Sequence, residues 1–270
     1  MKAMTMFGSK AVRRMLAGAA LGALVLAAAP AEAQVTVSGG VDFPSTYFFR
    51  GAKQEVDPAF TWQPFVDVGG ALMSGDGTLK SVNLNVGSWN SIHTGSNSDV
   101  YDGSFYESDF YATLGLGFSN FTLATTYTAY GYPAPDFDTI HEIAFKGSMP
   151  HKIAPYGLIA FELEDGTDNP GTYLELGIGP GVPLNQVKGL TLTFPIRVAF
   201  DLNDYYVVGD SGFAFFGAGV TGVVPISKFS IKVGIDYLAL SDTLESFNVD
   251  ADGETSSSAF TFVVGVGFSF

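Results

Sequence analysis

The last thirteen residues, Ser258 to Phe270, alternate without a break: Phe260, Phe262, Val264, Val266, Phe268 and the terminal Phe270 are interleaved with Thr261, Val263, Gly265, Gly267 and Ser269. A period of two over this length dictates a β-strand with one large apolar face and one small or polar face. Ending such a strand on a carboxy-terminal aromatic is the pattern expected of the last strand of a bacterial outer-membrane barrel.

The other end fits export. Lys2, Lys10, Arg13 and Arg14 precede an apolar stretch from Met15 to Ala29, and Ala31-Glu32-Ala33 follows. Basic region, apolar core and A-x-A site in that order specify a secretory signal peptide over 1–33, leaving a mature chain of 34–270. As a membrane helix the apolar stretch is shorter than the roughly 20 residues a span requires. Cleavage leaves nine bases against 26 acids, a formal charge of −17, which argues against a nucleic-acid partner. The chain has no cysteine, so disulfides and thiolate metal sites are excluded.

No stretch of the mature chain approaches the roughly 18 consecutive apolar residues of a membrane helix, so any spanning is done by strands that pair with one another. The mature chain reads as one all-β domain, a transmembrane antiparallel up-and-down β-barrel of about 12 strands. Strands are expected over 35–51, 58–72, 80–93, 104–118, 121–132, 138–148, 153–164, 172–182, 190–202, 212–224, 229–240 and 258–270. An even count puts both termini on the periplasmic side. The turns at 73–79, 119–120, 149–152, 183–189 and 225–228 then fall there too, and the mostly longer, more acidic loops at 52–57, 94–103, 133–137, 165–171, 203–211 and 241–257 face outward.

Alternation also assigns faces. Leu114, Leu116 and Phe118, and Phe229, Ile231, Val233, Ile235 and Tyr237, form lipid-facing rows, and their alternate partners face the lumen. The expected pore-lining charges are Arg50, Glu107, Asp109, Glu142, Lys146, Glu162, Glu164, Glu175, Arg197, Asp201, Lys232 and Asp236, with Asp42 and Asp67 adding to the acids. Acids outnumber bases ten to four. A soluble sandwich would reverse this arrangement, with charge outside and an apolar face within.

Groups that could carry chemistry are few. His93, with Ser91, Ser96, Ser98 and Asp99 near it in sequence, is the best histidine for a hydrolase at the rim, but no catalytic spacing accompanies it. The carboxylate pairs Glu107 with Asp109 and Glu162 with Glu164 read as an acidic wall. Asn248 to Glu254 matches the start of a calcium loop but has Ala259 at its twelfth position, which leaves a solvated turn as the default. Gly177-Ile178-Gly179-Pro180-Gly181 lacks the lysine and helix of a phosphate loop and is read as a place where the wall bends or leaves room. No catalytic residue, metal or cofactor is assigned.

Ser45-Thr46-Tyr47-Phe48-Phe49-Arg50-Gly51-Ala52-Lys53-Gln54, followed by Pro58-Ala59, resembles the opening strand and first loop of the TorF-type porins of Gram-negative bacteria, which typically carry an acid where Thr46 stands. Gly87-Ser88-Trp89-Asn90-Ser91, Glu107-Ser108-Asp109-Phe110-Tyr111 and Tyr130-Gly131-Tyr132-Pro133 add to the likeness, which covers the first half of the mature chain. The resemblance implies a signal-bearing outer-membrane barrel acting as a porin and supplies no site residues. Arg50, placed at the outer end of the first strand, is expected to pair with a strand carboxylate such as Glu107 or Asp109.

Together these readings predict an outer-membrane channel, in contact with lipid, for passive diffusion of small hydrophilic solutes, cations being favoured by the acidic lumen. The competing expectations are a non-conducting structural barrel plugged by its own side chains and loop 241–257 and, less favoured, a rim enzyme built on His93.

Overall fold

A computed structural model describes residues 35–95, 104–133, 138–163, 171–184, 186–187 and 189–270; the expected signal segment and Glu164 lie outside them. The long strands are β1 (Val35–Pro44), β4 (Thr61–Ser74), β5 (Leu79–His93), β6 (Phe105–Phe118), β7 (Thr122–Gly131), β8 (Ile140–Ser148) and β9 (Tyr156–Glu162) in the first part. They are followed by β10 (Thr172–Ile178), β11 (Gly181–Pro183), β12 (Thr191–Thr193), β13 (Ile196–Asn203), β14 (Gly212–Ile226), β15 (Phe229–Leu240) and β16 (Ser258–Ser269). Two short strands, β2 (Phe48–Phe49) and β3 (Ala52–Lys53), pair only with each other. One helical turn, α1 (Asp242–Glu245), interrupts the last loop.

Each long strand pairs antiparallel with its sequence neighbours, and β1 pairs with β16, so the sheet closes on itself. β10 and β11 form one strand broken at Gly179-Pro180, and β12 and β13 one strand broken at Phe194-Pro195, giving a closed barrel of 12 strands. Proline cannot donate to a ladder. The breaks are patched, with Phe194 N–H donating to Pro180 O at 3.0 Å and Gly219 N–H to Pro195 O at 3.0 Å. Closure is sealed at the terminal end, where Val37 and Phe270 exchange N–H···O bonds of 3.1 and 2.9 Å.

The outward rows are apolar and open to their surroundings. Phe262 is 57% exposed, Val233 56% and Phe145 44%, with Leu114, Leu123 and Ile196 alongside. The inward rows are of two kinds. In the half of the barrel nearer the long loops, Ala144, Ala160, Ala199 and Ala214 stand on the wall and leave space for a buried core of Tyr173, Tyr205, Tyr206, Phe215, Leu238 and Leu244. In the half nearer the termini, polar side chains lie flat over glycines of neighbouring strands. Arg197 lies over Gly217, Tyr156 over Gly177, Tyr111 over Gly87, and Asp42 with Lys232 over Gly265.

The first strand departs from expectation. It was expected to run to Gly51, but β1 ends at Pro44, and Ser45 makes the last wall contact through Phe262 O at 2.8 Å. The chain then turns inward, and residues 46–55 fold into the lumen instead of forming an outward loop at 52–57. Tyr47 and Phe49 kept the alternation of a strand, which masked the turn that follows them. Arg50 (φ 48) and Gly51 (φ 88) both have positive φ, as the centre of a type I′ hairpin demands.

The glycine floor makes a direct prediction. A Cβ on Gly219 would meet Asp236 Oδ1 and Ile235 O at 2.6 Å, whereas one on Gly115 would meet nothing closer than 3.8 Å. Gly219→Ala should therefore lower the urea unfolding free energy by about 1–3 kcal/mol, and Gly115→Ala should leave it within about 0.5 kcal/mol.

Candidate functional site

The hairpin 48–53 crosses the lumen and is braced against opposite walls. At its tip Arg50 makes a bidentate ion pair with Glu142 of β8: Nη2 donates to Oε1 at 2.8 Å and Nη1 donates to Oε2. Tyr130 and Tyr205 hydroxyls add donations to Glu142 of 3.2 Å each. The carboxylate thus meets four donors, which fills its acceptor sites. The guanidinium lies 4.5 Å from the Tyr173 ring centre and 5.1 Å from that of Tyr205, an aromatic clamp around a buried cation.

Other contacts fix the rest of the loop. Tyr206 O–H donates to Arg50 O at 2.7 Å, and Asp201 accepts the backbone N–H groups of Tyr205 and Tyr206 at 3.1 and 3.4 Å, holding both rings inward. Burial pushes both phenols above their ordinary range, so they remain donors. Gly51 packs where a Cβ would stand 2.7 Å from both Leu244 and Phe215. Loop 241–257 reaches the same core: α1 delivers Leu244, fully buried, against the hairpin. Lys53 donates to Val249 O of the same loop at 2.6 Å and to Val56 O at 3.2 Å.

Nearer the wall of β5, Glu55 accepts Tyr47 N–H at 2.6 Å and the Thr61 hydroxyl. Its Oε2 lies 3.9 Å from His93 Nδ1, and His93 Nε2 lies 2.8 Å from Ser91 Oγ. Serine, histidine and carboxylate thus stand in the order of a hydrolytic relay. Ser91 and His93 are completely buried and Glu55 nearly so, and the His93 ring stacks on Tyr106 at 4.7 Å. Ser96, Ser98 and Asp99 fall outside the described residues.

The expected lumen charges separate into three groups. Glu107, Asp109, Glu142 and Asp201 are buried beneath or beside the hairpin. Arg50 is paired, but with Glu142, which correlates two positions 92 residues apart, and not with Glu107 or Asp109. Toward the terminal end the charges line open space: Arg197 pairs with Asp236, and Lys232 with Asp42. There Glu175 accepts Tyr156 and Tyr173 hydroxyls at 2.7 Å each, and Lys146 sits 4.5 Å from the Tyr156 ring centre. Glu162 faces Glu142 across the β8–β9 pair. A cavity of about 320 Å³ lies just below the hairpin, with Arg50, Gln63, Glu175, Arg197 and Asp236 on its walls.

Sequence reading missed the tyrosine donors around Arg50, the inward turn after Pro44 and the Glu55 contact. Only Gly51, a residue that takes up positive φ readily, signalled the hairpin. In the last loop Asp250 Oδ1 accepts the N–H groups of Asp252 and Glu254 at 3.0 and 2.9 Å, a self-contained turn.

No protein-family model matches the chain, and no curated protein does. Among solved structures, it is similar to outer membrane phospholipase A from Escherichia coli (13% identity, TM-score 0.46, covering 86% of this chain and 92% of that one). It is also similar to the translocator domain of the autotransporter NalP from Neisseria meningitidis (14%, TM-score 0.45, 99% and 100%) and to the NanC porin (11%, TM-score 0.44, 87% and 99%).

Removing one partner of a buried ion pair strands the other charge. Arg50→Ala should release the hairpin at a cost of about 3–5 kcal/mol, seen as rapid hydrogen exchange over 46–56 while the barrel strands stay protected. Arg50→Met combined with Glu142→Leu should restore much of that protection. Arg50→Lys should not, because an ammonium cannot make the bidentate contact.

Proposed function

We propose that the chain is an outer-membrane barrel of the porin class whose passage is narrowed by its own first loop, admitting only small hydrophilic solutes and ions. The single observation that carries this reading is the hairpin 48–53 seated across the lumen and tied to β8 through Arg50 and Glu142. The membrane assignment rests on the belt of exposed Phe, Leu, Ile and Val around the wall, a surface far larger than the apolar patches soluble monomers leave in water. Strands of 12–15 residues in β4, β5, β6, β14, β15 and β16 exceed the about 9–11 that a bilayer span requires. The likeness of segments 45–59, 87–91, 107–111 and 130–133 to TorF-type porins supports the same class.

Cation preference, in this reading, comes from fewer groups than a count of inward acids suggests. Asp67 and Glu175 are held by neutral donors, Asn85 and Tyr111 for one and two tyrosines for the other, and neither is in an ion pair, although Arg197, itself paired with Asp236, shares the cavity with Glu175. They stand in the half of the lumen that glycines keep wide and attract cations there. The Ser91–His93–Glu55 contact is assigned to holding the loop against β5, and the protein is proposed not to be an enzyme.

Planar-bilayer recording of the refolded barrel under a salt gradient tests the proposal. The intact protein should give small steps with a cation-selective reversal potential, and replacing 46–56 by a short Gly-Ser link should enlarge the steps several-fold. Equal large steps from both would remove the hairpin as the constriction, and silence from both, with folded and inserted protein, would favour a structural barrel. Asp67→Asn with Glu175→Gln should shrink the reversal potential, and an unchanged value would place selectivity elsewhere. Hydrolysis of phospholipid by the wild type that is lost in Ser91→Ala would overturn the non-enzymatic assignment.

A further inference from the structure

Glu107 and Asp109 form a second buried acidic centre, separate from the Arg50 clamp. They lie two residues apart on the inward face of β6, opposite Ser91 and Trp89 of β5. Their exposures are 1% and 6%, and one oxygen of each, Glu107 Oε1 and Asp109 Oδ1, has no hydrogen-bond partner. The two carboxyl groups are within interaction range of one another, and beyond that Glu107 has the Tyr47 hydroxyl and Asp109 the Gly131 backbone. Tyr47, whose ring packs at a tilt against Trp89 with ring centres 5.2 Å apart, covers the pair from the hairpin side.

Two carboxylates in such a setting need a cation or a proton, because burying even one charged and unpaired costs many kcal/mol. Among the described residues no lysine or arginine supplies the cation. Arg50 is committed to Glu142 and Lys53 to the carbonyls of Val56 and Val249. Lys232 and Arg197 are paired with Asp42 and Asp236, and Lys146 packs on Tyr156. Lys80 lies at the start of β5, exposed, Lys152 and Lys228 belong to turns at the terminal end, Lys188 falls outside the described residues, and segments 96–103, 134–137 and 164–170 contain neither lysine nor arginine.

We propose that Glu107 and Asp109 bind a hard divalent cation of the Ca²⁺ or Mg²⁺ class inside the barrel, beside the hairpin. Oxygen-only donors select hard cations, and one divalent ion matches the formal charge of the pair. No third carboxylate or histidine joins them among the described residues. Within the described residues the remaining ligands would be neutral, water and hydroxyl, as is common for these ions. The site does not depend on whether the barrel conducts.

Calorimetric titration of the folded, EDTA-treated barrel with Ca²⁺ and with Mg²⁺ at neutral pH, paired with thermal unfolding, tests this. One ion should bind per barrel and raise the unfolding temperature. Glu107→Gln combined with Asp109→Asn should abolish both effects while folding at least as well without metal, since it removes two buried charges. If the double variant fails to fold, Glu107→Gln alone should weaken binding by more than the about 10–100-fold that loss of an outer-shell partner costs. Binding retained by the double variant would assign the ion to the exposed acids of loop 250–254 and overturn the proposal. So would a wild-type barrel that binds neither ion and is instead stabilised, unlike the double variant, as pH falls, the signature of a shared proton.

Discussion

Closure of the sheet is the constraint on which the rest of the molecule depends. Once β1 pairs with β16, the sheet has no free edge and the width of the interior is set by strand number. Eight strands leave an interior that side chains alone can fill, and sixteen or more leave a water channel. Twelve is between these limits, and the chain meets the resulting space differently at its two ends. Near the loops it inserts a hairpin and backs it with wall alanines; near the termini it lays polar side chains over glycines and keeps the bore wide.

The hairpin could not rest there on apolar contact alone. Its tip is an arginine in the left-handed region, a conformation uncommon for any residue but glycine, asparagine or aspartate. Two bonds to Glu142, two tyrosine hydroxyls on the same carboxylate and three aromatic faces around the guanidinium offset that strain and the desolvation of the charge. Fully buried Leu244 and Phe215 add about 1.5–3 kcal/mol each from apolar burial. The polar contacts fix where the hairpin sits, and the apolar ones supply much of the reason for it to stay.

What was legible in the sequence follows from what is local. Alternation located every wall strand but the first to within a few residues and gave the outward rows, because lipid-facing and lumen-facing positions differ at each step along a strand. It failed at Ser45–Gly51, where Tyr47 and Phe49 preserve period two while the chain has already left the wall. The partner of Arg50 was beyond reach for another reason. Glu142, Glu107 and Asp109 are alike in sequence terms, all inward acids near strand ends, and only the three-dimensional position of a turn 92 residues away distinguishes them.

That distinction changes what an inward charge means. Counting acids along the lumen treats each as part of a wetted wall, yet Glu142 is neutralised by Arg50 and Asp201 is spent on two backbone N–H groups. Asp42 and Asp236 face Lys232 and Arg197, so each contributes a dipole rather than a net charge. In the proposed channel, a solute entering from the terminal end would therefore meet a field set chiefly by Asp67 and Glu175 against Lys146, with Asp42 and Asp236 cancelled at short range and Glu107 and Asp109 buried beside the hairpin. On the proposed channel reading, selectivity would be decided by which carboxylates lack a nearby cation, and the formal charge of the chain is a poor guide to that number.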